Sequence, residues 1–185
     1  IGITDNLDNL KLASDSILPH VRTDIVQYLK NSQKYNIDRF QLNYFINPTP
    51  NIYGKMSVGL LETMFAGIGS EFLYRPFDKN YGIGAELWRV QQRDYDLMFG
   101  LRDYITTTGH INFYYIEPKS NILFAVRGGR FLARDSGLSF DFSRRFKSGF
   151  QLGVFFSRTD ISKREFGEGS FDKGFYFHVP LDFFS

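Results

Sequence analysis

From Arg39 onward the chain alternates apolar and polar residues with a period of two, and that pattern leaves few folds open. In "LSFDFSRRF", Leu138, Phe140 and Phe142 share one face, while Ser139, Asp141, Ser143 and Arg145 share the other, because successive side chains on a strand project to opposite sides. "FQLGVFF" sets Phe150, Leu152, Val154 and Phe156 against Gln151 and Gly153. Near the end, Phe175, Phe177, Val179, Leu181 and Phe183 alternate with Tyr176, His178, Pro180 and Asp182. Nine such runs are predicted, at 39–47, 52–61, 67–75, 81–91, 108–117, 121–131, 138–146, 149–158 and 174–184. Each is close to the ~9–11 residues a tilted strand needs to cross a bilayer and longer than the ~5–6 of an ordinary strand.

One face of these runs is nearly pure Phe, Tyr, Ile, Leu and Val. The other carries Arg39, Gln41, Asn43, Glu71, Arg75, Glu86, Arg127, Asp141, Arg145, His178 and Asp182. Charges in mid-strand are costly in a dry core unless paired but ordinary in a wet lumen. The aromatic content, 18% with 21 Phe, suits two-faced strands better than a helix bundle. No apolar run approaches the length of a membrane helix; Ile122–Val126 is typical, and strands need none. Glycines at 54, 59, 67, 69, 82, 84, 128, 129 and 153 are expected to mark bulges or close approach. Pro180 is expected to place the last strand at an edge or a bulge.

The connections alternate as well. "PTP", "PFDKN", "PKS" and "KSG" are short, whereas the even-numbered ones include "QRDYDLMFGLRDYITTT" and "TDISKREFGEGSFDK". In a meander, odd and even turns lie at opposite ends, so one end is expected to be trimmed and the other to carry loops, as in outer-membrane barrels. Before the strands, Pro19, Val21, Ile25, Tyr28 and Leu29 predict a short amphipathic helix over roughly 19–31. The reading is therefore all-β: an antiparallel up-and-down meander, forming a whole or partial outer-membrane β-barrel of about eight to ten strands, preceded by one short helix. Residues 1–38 form the N-terminal segment and 39–185 the barrel region. The chain, starting at Ile1, reads as a piece of a longer or processed protein.

The net charge of +2 and the absence of like-charge runs leave no electrostatic case for nucleic acid. With no cysteine, disulfides, zinc–thiolate sites and cysteine nucleophiles are excluded. "GEGSFDKG" lacks the Gly-Lys-Ser/Thr ending of a phosphate loop and precedes a strand, and it lacks the carboxylate pattern of an EF-hand. His20, His110 and His178 share no metal-ligand spacing, so neither metal nor cofactor is expected. A triad of His178, Asp182 and a loop serine is weighed against a hydrogen-bonded lumen histidine, which is favoured. Glu71, Arg75, Glu86, Arg127, Asp141, Arg145, His178 and Asp182 are the lumen candidates. Glu62, Arg93, Asp94, Arg102, Asp103, Arg134, Asp135, Glu168 and Asp172 are the rim candidates, drawn from the two "RDY" repeats, "ARDSG" and the glycine loop. They read either as salt-bridged loops or as a rim for sugars, where aromatic faces such as Trp88 stack and Arg and Asp bind hydroxyls.

"LPHVRTDIVQYLK", "GLLETMFAGIGSEFLYRPF", "QRDYD…FGLRDYITTTGH", "GRFLARDSG", "SRRFKSGFQLGVF" and "EFGEGSFDKGFYFHVPLDFF" resemble, in order, the YjbH/GfcD family of Gram-negative outer-membrane proteins associated with exopolysaccharide and capsule production. The resemblance runs from about Leu18 to Phe184. It implies a non-enzymatic barrel protein whose partners are outer-membrane lipid, polysaccharide and other polysaccharide-secretion proteins, and it carries over no catalytic residue. Family members are longer, so the chain is similar to their C-terminal-side barrel region. Two alternatives stand beside this: an outer-membrane enzyme acting on lipid or glycan at the loop rim, and a soluble β-barrel with its aromatic face inward around a lipophilic ligand.

Overall fold

The computed structural model describes residues 2–3, 24–31, 35–160 and 171–180. It is an all-β chain with one short helix. In order come β1 (Gly2–Ile3), α1 (Ile25–Asn31), β2 (Tyr35–Asn36), β3 (Phe40–Thr49), β4 (Ile52–Leu60), β5 (Phe65–Tyr74), β6 (Tyr81–Arg93), β7 (Leu101–Glu117), β8 (Ile122–Arg130), β9 (Ser136–Arg145), β10 (Gln151–Thr159) and β11 (Phe171–His178). Strands β3 to β11 form one nine-stranded antiparallel sheet in strict sequence order, with β3 and β11 at its edges. The pairing does not close between those edges among the described residues. A separate two-stranded ribbon joins β1 to β2.

Register divides the sheet into the two faces expected from the alternation. One row across the ladder joins Lys55, Glu71, Glu86 and His110. The next joins Leu73, Gly84, Asn112, Arg127, Ser139, Ser157 and Asp172. The opposite face has rows such as Tyr115, Phe124, Phe142, Val154 and Phe175. That face is bare: Phe40 is 69% exposed, Leu42 72% and Phe175 73%. Its rings pack on one another, with Phe124 edge-on to Phe142 at 5.3 Å and Phe140 stacked on Phe156 at 4.7 Å. The polar face is concave. A single cavity is lined by Gln41 of β3, at one edge of the sheet, and by Asp172 of β11, at the other.

Glycine lets the sheet bend at Gly59 (φ +132°) and Gly129 (φ +156°), where a Cβ would strike the carbonyl of Phe40 or of Gly109 on the next strand. The two register shifts fall elsewhere, between Ile46 and Thr49 and between Gln91 and Arg93. The glycines therefore serve close approach rather than bulges: Trp88 lies flat over Gly69, and Tyr176 over Gly153.

Two expectations need correction. Most of "QRDYDLMFGLRDYITTT" is strand, since β6 reaches Arg93 and β7 begins at Leu101. Its threonines look like loop by polarity, but β-branching favours extended backbone, and Thr106 and Thr108 are buried on the polar face. That connection shrinks to 94–100, so among the described residues the two ends of the sheet differ less in loop length than expected. The last strand ends at His178; Pro180 lies past the ladder and packs toward Gly149, and residues 181–185 are outside the described set. Helix α1 covers the later part of 19–31, and residues 19–23 are likewise outside it.

At the even-turn end, α1 lays Tyr28 onto Phe65, Val90, Met64 and Leu97, the buried apolar cluster. Tyr95 meets Tyr28 edge-on at 5.0 Å. Asp24 caps the helix start, its carbonyl accepting the Tyr28 N–H at 3.1 Å, while its carboxylate accepts Gln92 Nε2 at 2.7 Å.

Candidate functional site

The polar face is organised around a belt of charges at mid-sheet. Lys55 Nζ lies 2.6 Å from Glu71 Oε1. On the next strands His110 Nδ1 stands 3.0 Å from Glu86 Oε1, and Arg127 Nε is 3.7 Å from the same oxygen while donating to Asn112 Oδ1 at 3.0 Å. The indole N–H of Trp88 donates to Glu86 Oε2 at 3.3 Å. Lys55 with Glu71, Glu86 with His110 and Asn112 with Arg127 are directly opposed on neighbouring strands, which is how an antiparallel ladder brings complementary polar groups together. The His110 ring also leans on Phe131, with centroids 4.7 Å apart.

Two concavities meet at this belt and share Lys55, Glu71, Glu86 and Arg127. The first, about 660 Å³, opens toward the even-turn end past Trp88, Glu62 and Asp135. The second, about 730 Å³, opens toward the odd-turn end past Tyr53, Tyr114 and Arg75. Within the first, Asp135 is 7% exposed and its Oδ1 has no hydrogen-bond partner. Burial pushes the Glu62 carboxyl above its usual range, against a smaller opposing pull from Arg39.

The rim candidates resolve into different roles. Arg93 is fully buried, its guanidinium donating to the carbonyls of Ile37, Asp38, Glu62, Thr63, Leu97 and Met98 at 2.7–3.3 Å. It ties the segment after β2, the β4–β5 turn and the β6–β7 turn into one knot, and its own carbonyl accepts the Tyr28 hydroxyl at 2.6 Å. Burial pushes that hydroxyl up to about 12. Arg102 stacks over Tyr95 at 4.2 Å and lies 3.6 Å from Asp94. Arg134, in a left-handed conformation at φ 64°, donates to the Ile105 carbonyl at 2.9 Å and covers the Tyr104 ring. Asp103 is exposed on β7. Asp172 faces the concavity from β11, and Glu168 lies outside the described residues.

Of the lumen candidates, Glu71, Glu86 and Arg127 build the belt. Asp141 accepts the Tyr176 hydroxyl at 3.0 Å. Arg145 and His178 are exposed at the odd-turn end, opposite Gln151; Arg75 sits in the β5–β6 turn, and Asp182 is outside the described set. Lys55, Asn112 and His110 were missed. Lys55 and Asn112 sit at polar-face positions that the alternation marks, but only register pairs them with Glu71 and Arg127. His110 had been weighed only for metal spacing. Among the described residues, no group of His, Asp and Glu could hold a metal ion.

A family model described as exopolysaccharide biosynthesis protein YbjH matches residues 1–185. The chain is 41% identical over 191 aligned residues to the "Uncharacterized lipoprotein YjbH" of Escherichia coli (strain K12), an alignment covering all of this chain and 27% of that protein. The chain thus spans about a quarter of the length of that relative. No solved structure matches it. The chain belongs to the YjbH family of exopolysaccharide biosynthesis proteins.

Proposed function

We propose that residues 39–185 form part of the wall of a non-catalytic outer-membrane β-barrel that assists production or export of an extracellular or capsular polysaccharide in a Gram-negative bacterium, with residues 1–38 as a separate N-terminal segment whose helix α1 packs at one mouth. One observation carries this reading: a continuous exposed apolar face backs a concave face lined with paired charges. In water that apolar face would be an aggregation surface; against lipid it is the expected exterior. Its borders suit an interface. Tyr74, Tyr81 and Tyr115 gather on it at the odd-turn end, and Arg89, Arg130 and Arg158 at the even-turn end; aromatic and long basic side chains favour the headgroup zone. Similarity to an Escherichia coli lipoprotein supports a place in the Gram-negative envelope. The partners in this reading are outer-membrane lipid, the polysaccharide and other secretion proteins.

The test is to locate the full-length protein by membrane fractionation and to measure heat-modifiable mobility beside surface polysaccharide. Outer-membrane recovery that needs detergent, with loss of polysaccharide on deletion, is expected; recovery as a soluble protein refutes the reading. The double variant Glu168→Gln with Asp172→Asn is expected to stay folded but to lower surface polysaccharide by altering the even-turn rim. A folded double variant with normal polysaccharide removes that loop from the function.

A further inference from the structure

We infer that the first concavity is a binding subsite for a neutral, hydroxyl-rich oligosaccharide and that it discriminates against acidic glycans; this rests on the polysaccharide role proposed above. At about 660 Å³ it falls within the ~300–1,000 Å³ of small-ligand sites. Its floor is Trp88. The indole lies flat over Gly69, where any Cβ would meet the ring, and Glu86 holds its N–H. A fixed indole lining a wet cavity is a stacking surface for the C–H face of a sugar.

The polar groups decide which sugar. Arg39 donates to the Leu61 carbonyl at 2.8 Å, Lys55 is paired with Glu71, and Arg127 is held by Asn112 and Glu86, so these three cations already have protein acceptors. The fourth basic residue of the lining, His110, stands against Glu86. The lining carries five carboxylates against these three cations. Asp135 Oδ1 is buried without a donor, a situation that folded proteins rarely leave unsatisfied. A ligand suited to this carboxylate-rich lining brings donors rather than negative charge. Hydroxyl groups do so; a uronate or phosphate would face five carboxylates, while Lys55 and Arg127 are already engaged by Glu71 and Glu86.

Calorimetric titration of the full-length protein in detergent micelles tests this, using neutral tetraoses of glucose, galactose and mannose and, as the acidic probe, tetragalacturonate. At least one neutral tetraose is expected to bind about tenfold or more tightly than tetragalacturonate. Trp88→Ala is expected to weaken the neutral ligand about tenfold. Asp135→Asn, which keeps an acceptor, narrows the gap by admitting the acidic probe. Binding of tetragalacturonate as tight as that of every neutral tetraose, no neutral binding at all, or an unchanged affinity in a folded Trp88→Ala variant would each overturn the inference. Heat-modifiable mobility and membrane location are read on the same samples. A protein without either that still binds a neutral tetraose through Trp88 would refute the barrel reading and leave the subsite standing.

Discussion

Placing an arginine on the apolar face at Phe142 separates a lipid-facing surface from one that only lacks neighbours. Phe142 lies in a row that is apolar throughout, beside Phe124 and Val154 and beyond them Tyr115 and Phe175. It sits between the outward-facing Arg144 and the row that pairs Leu138 with Arg158, so it is near the middle of the apolar span. An arginine at the midplane of a barrel's lipid face costs about 2–4 kcal/mol. The lost ring contacts, to Phe124 at 5.3 Å and Phe156 at 6.0 Å, contribute about another 1 kcal/mol. Phe142→Arg is therefore expected to destabilise by about 3–5 kcal/mol. Leu152→Arg should cost less, about 1–2 kcal/mol, because Leu152 pairs with Arg144 at the border of the span and the penalty falls with distance from the midplane. Ser139→Arg, directed into the concavity on the row of Asp172, should stay within about 1 kcal/mol. The assay is urea unfolding in lipid bilayers, followed by the heat-modifiable band. If Ser139→Arg proved the most damaging and Phe142→Arg were mild, the polar face would be the one in contact with apolar surroundings and the membrane assignment would fail.

Arg93→Met is expected to cost about 3–5 kcal/mol, since a buried guanidinium is lost and the carbonyls it served are left without donors; hydrogen exchange should then rise at Ile37, Leu97 and α1 before the rest of the sheet. Arg93→Lys should rescue only part of this, because a point charge cannot reproduce the guanidinium fork. Glu62→Gln should stabilise the protein at neutral pH: burial raises the folded carboxyl above its unfolded value, so wild-type stability falls as pH climbs through that interval. The advantage should vanish below the ordinary carboxylate range, and a gain that persists there would refute the assignment. Gly69→Ala forces Trp88 off its seat and should cost about 1–3 kcal/mol. A shifted emission from Trp88, the one Trp in this sequence, checks it; an unmoved spectrum with full stability would refute the flat-indole geometry.

Alternation alone determined most of this protein's plan. Because the side-chain period of a strand is two, Phe140, Phe142, Val154 and Phe175 had to share a face that Asp141, Ser143 and Tyr176 could not, whatever the strand order. Nine runs and nine paired strands follow from that local rule. Local pattern could not tell a polar strand from a loop, and so the threonines of β7 were misassigned. Nor could it reveal partnership across strands. Lys55 meets Glu71, and His110 meets Glu86, through ladder register between residues 16 and 24 apart in the chain. By sequence Arg93 is a rim charge among its loop neighbours, but the carbonyls that surround it come from three separate segments. Only long-range packing makes a buried guanidinium tolerable, since desolvation must be offset by acceptors that sequence neighbours cannot supply. Periodicity sets which way a side chain points; the tertiary fold decides what it finds there.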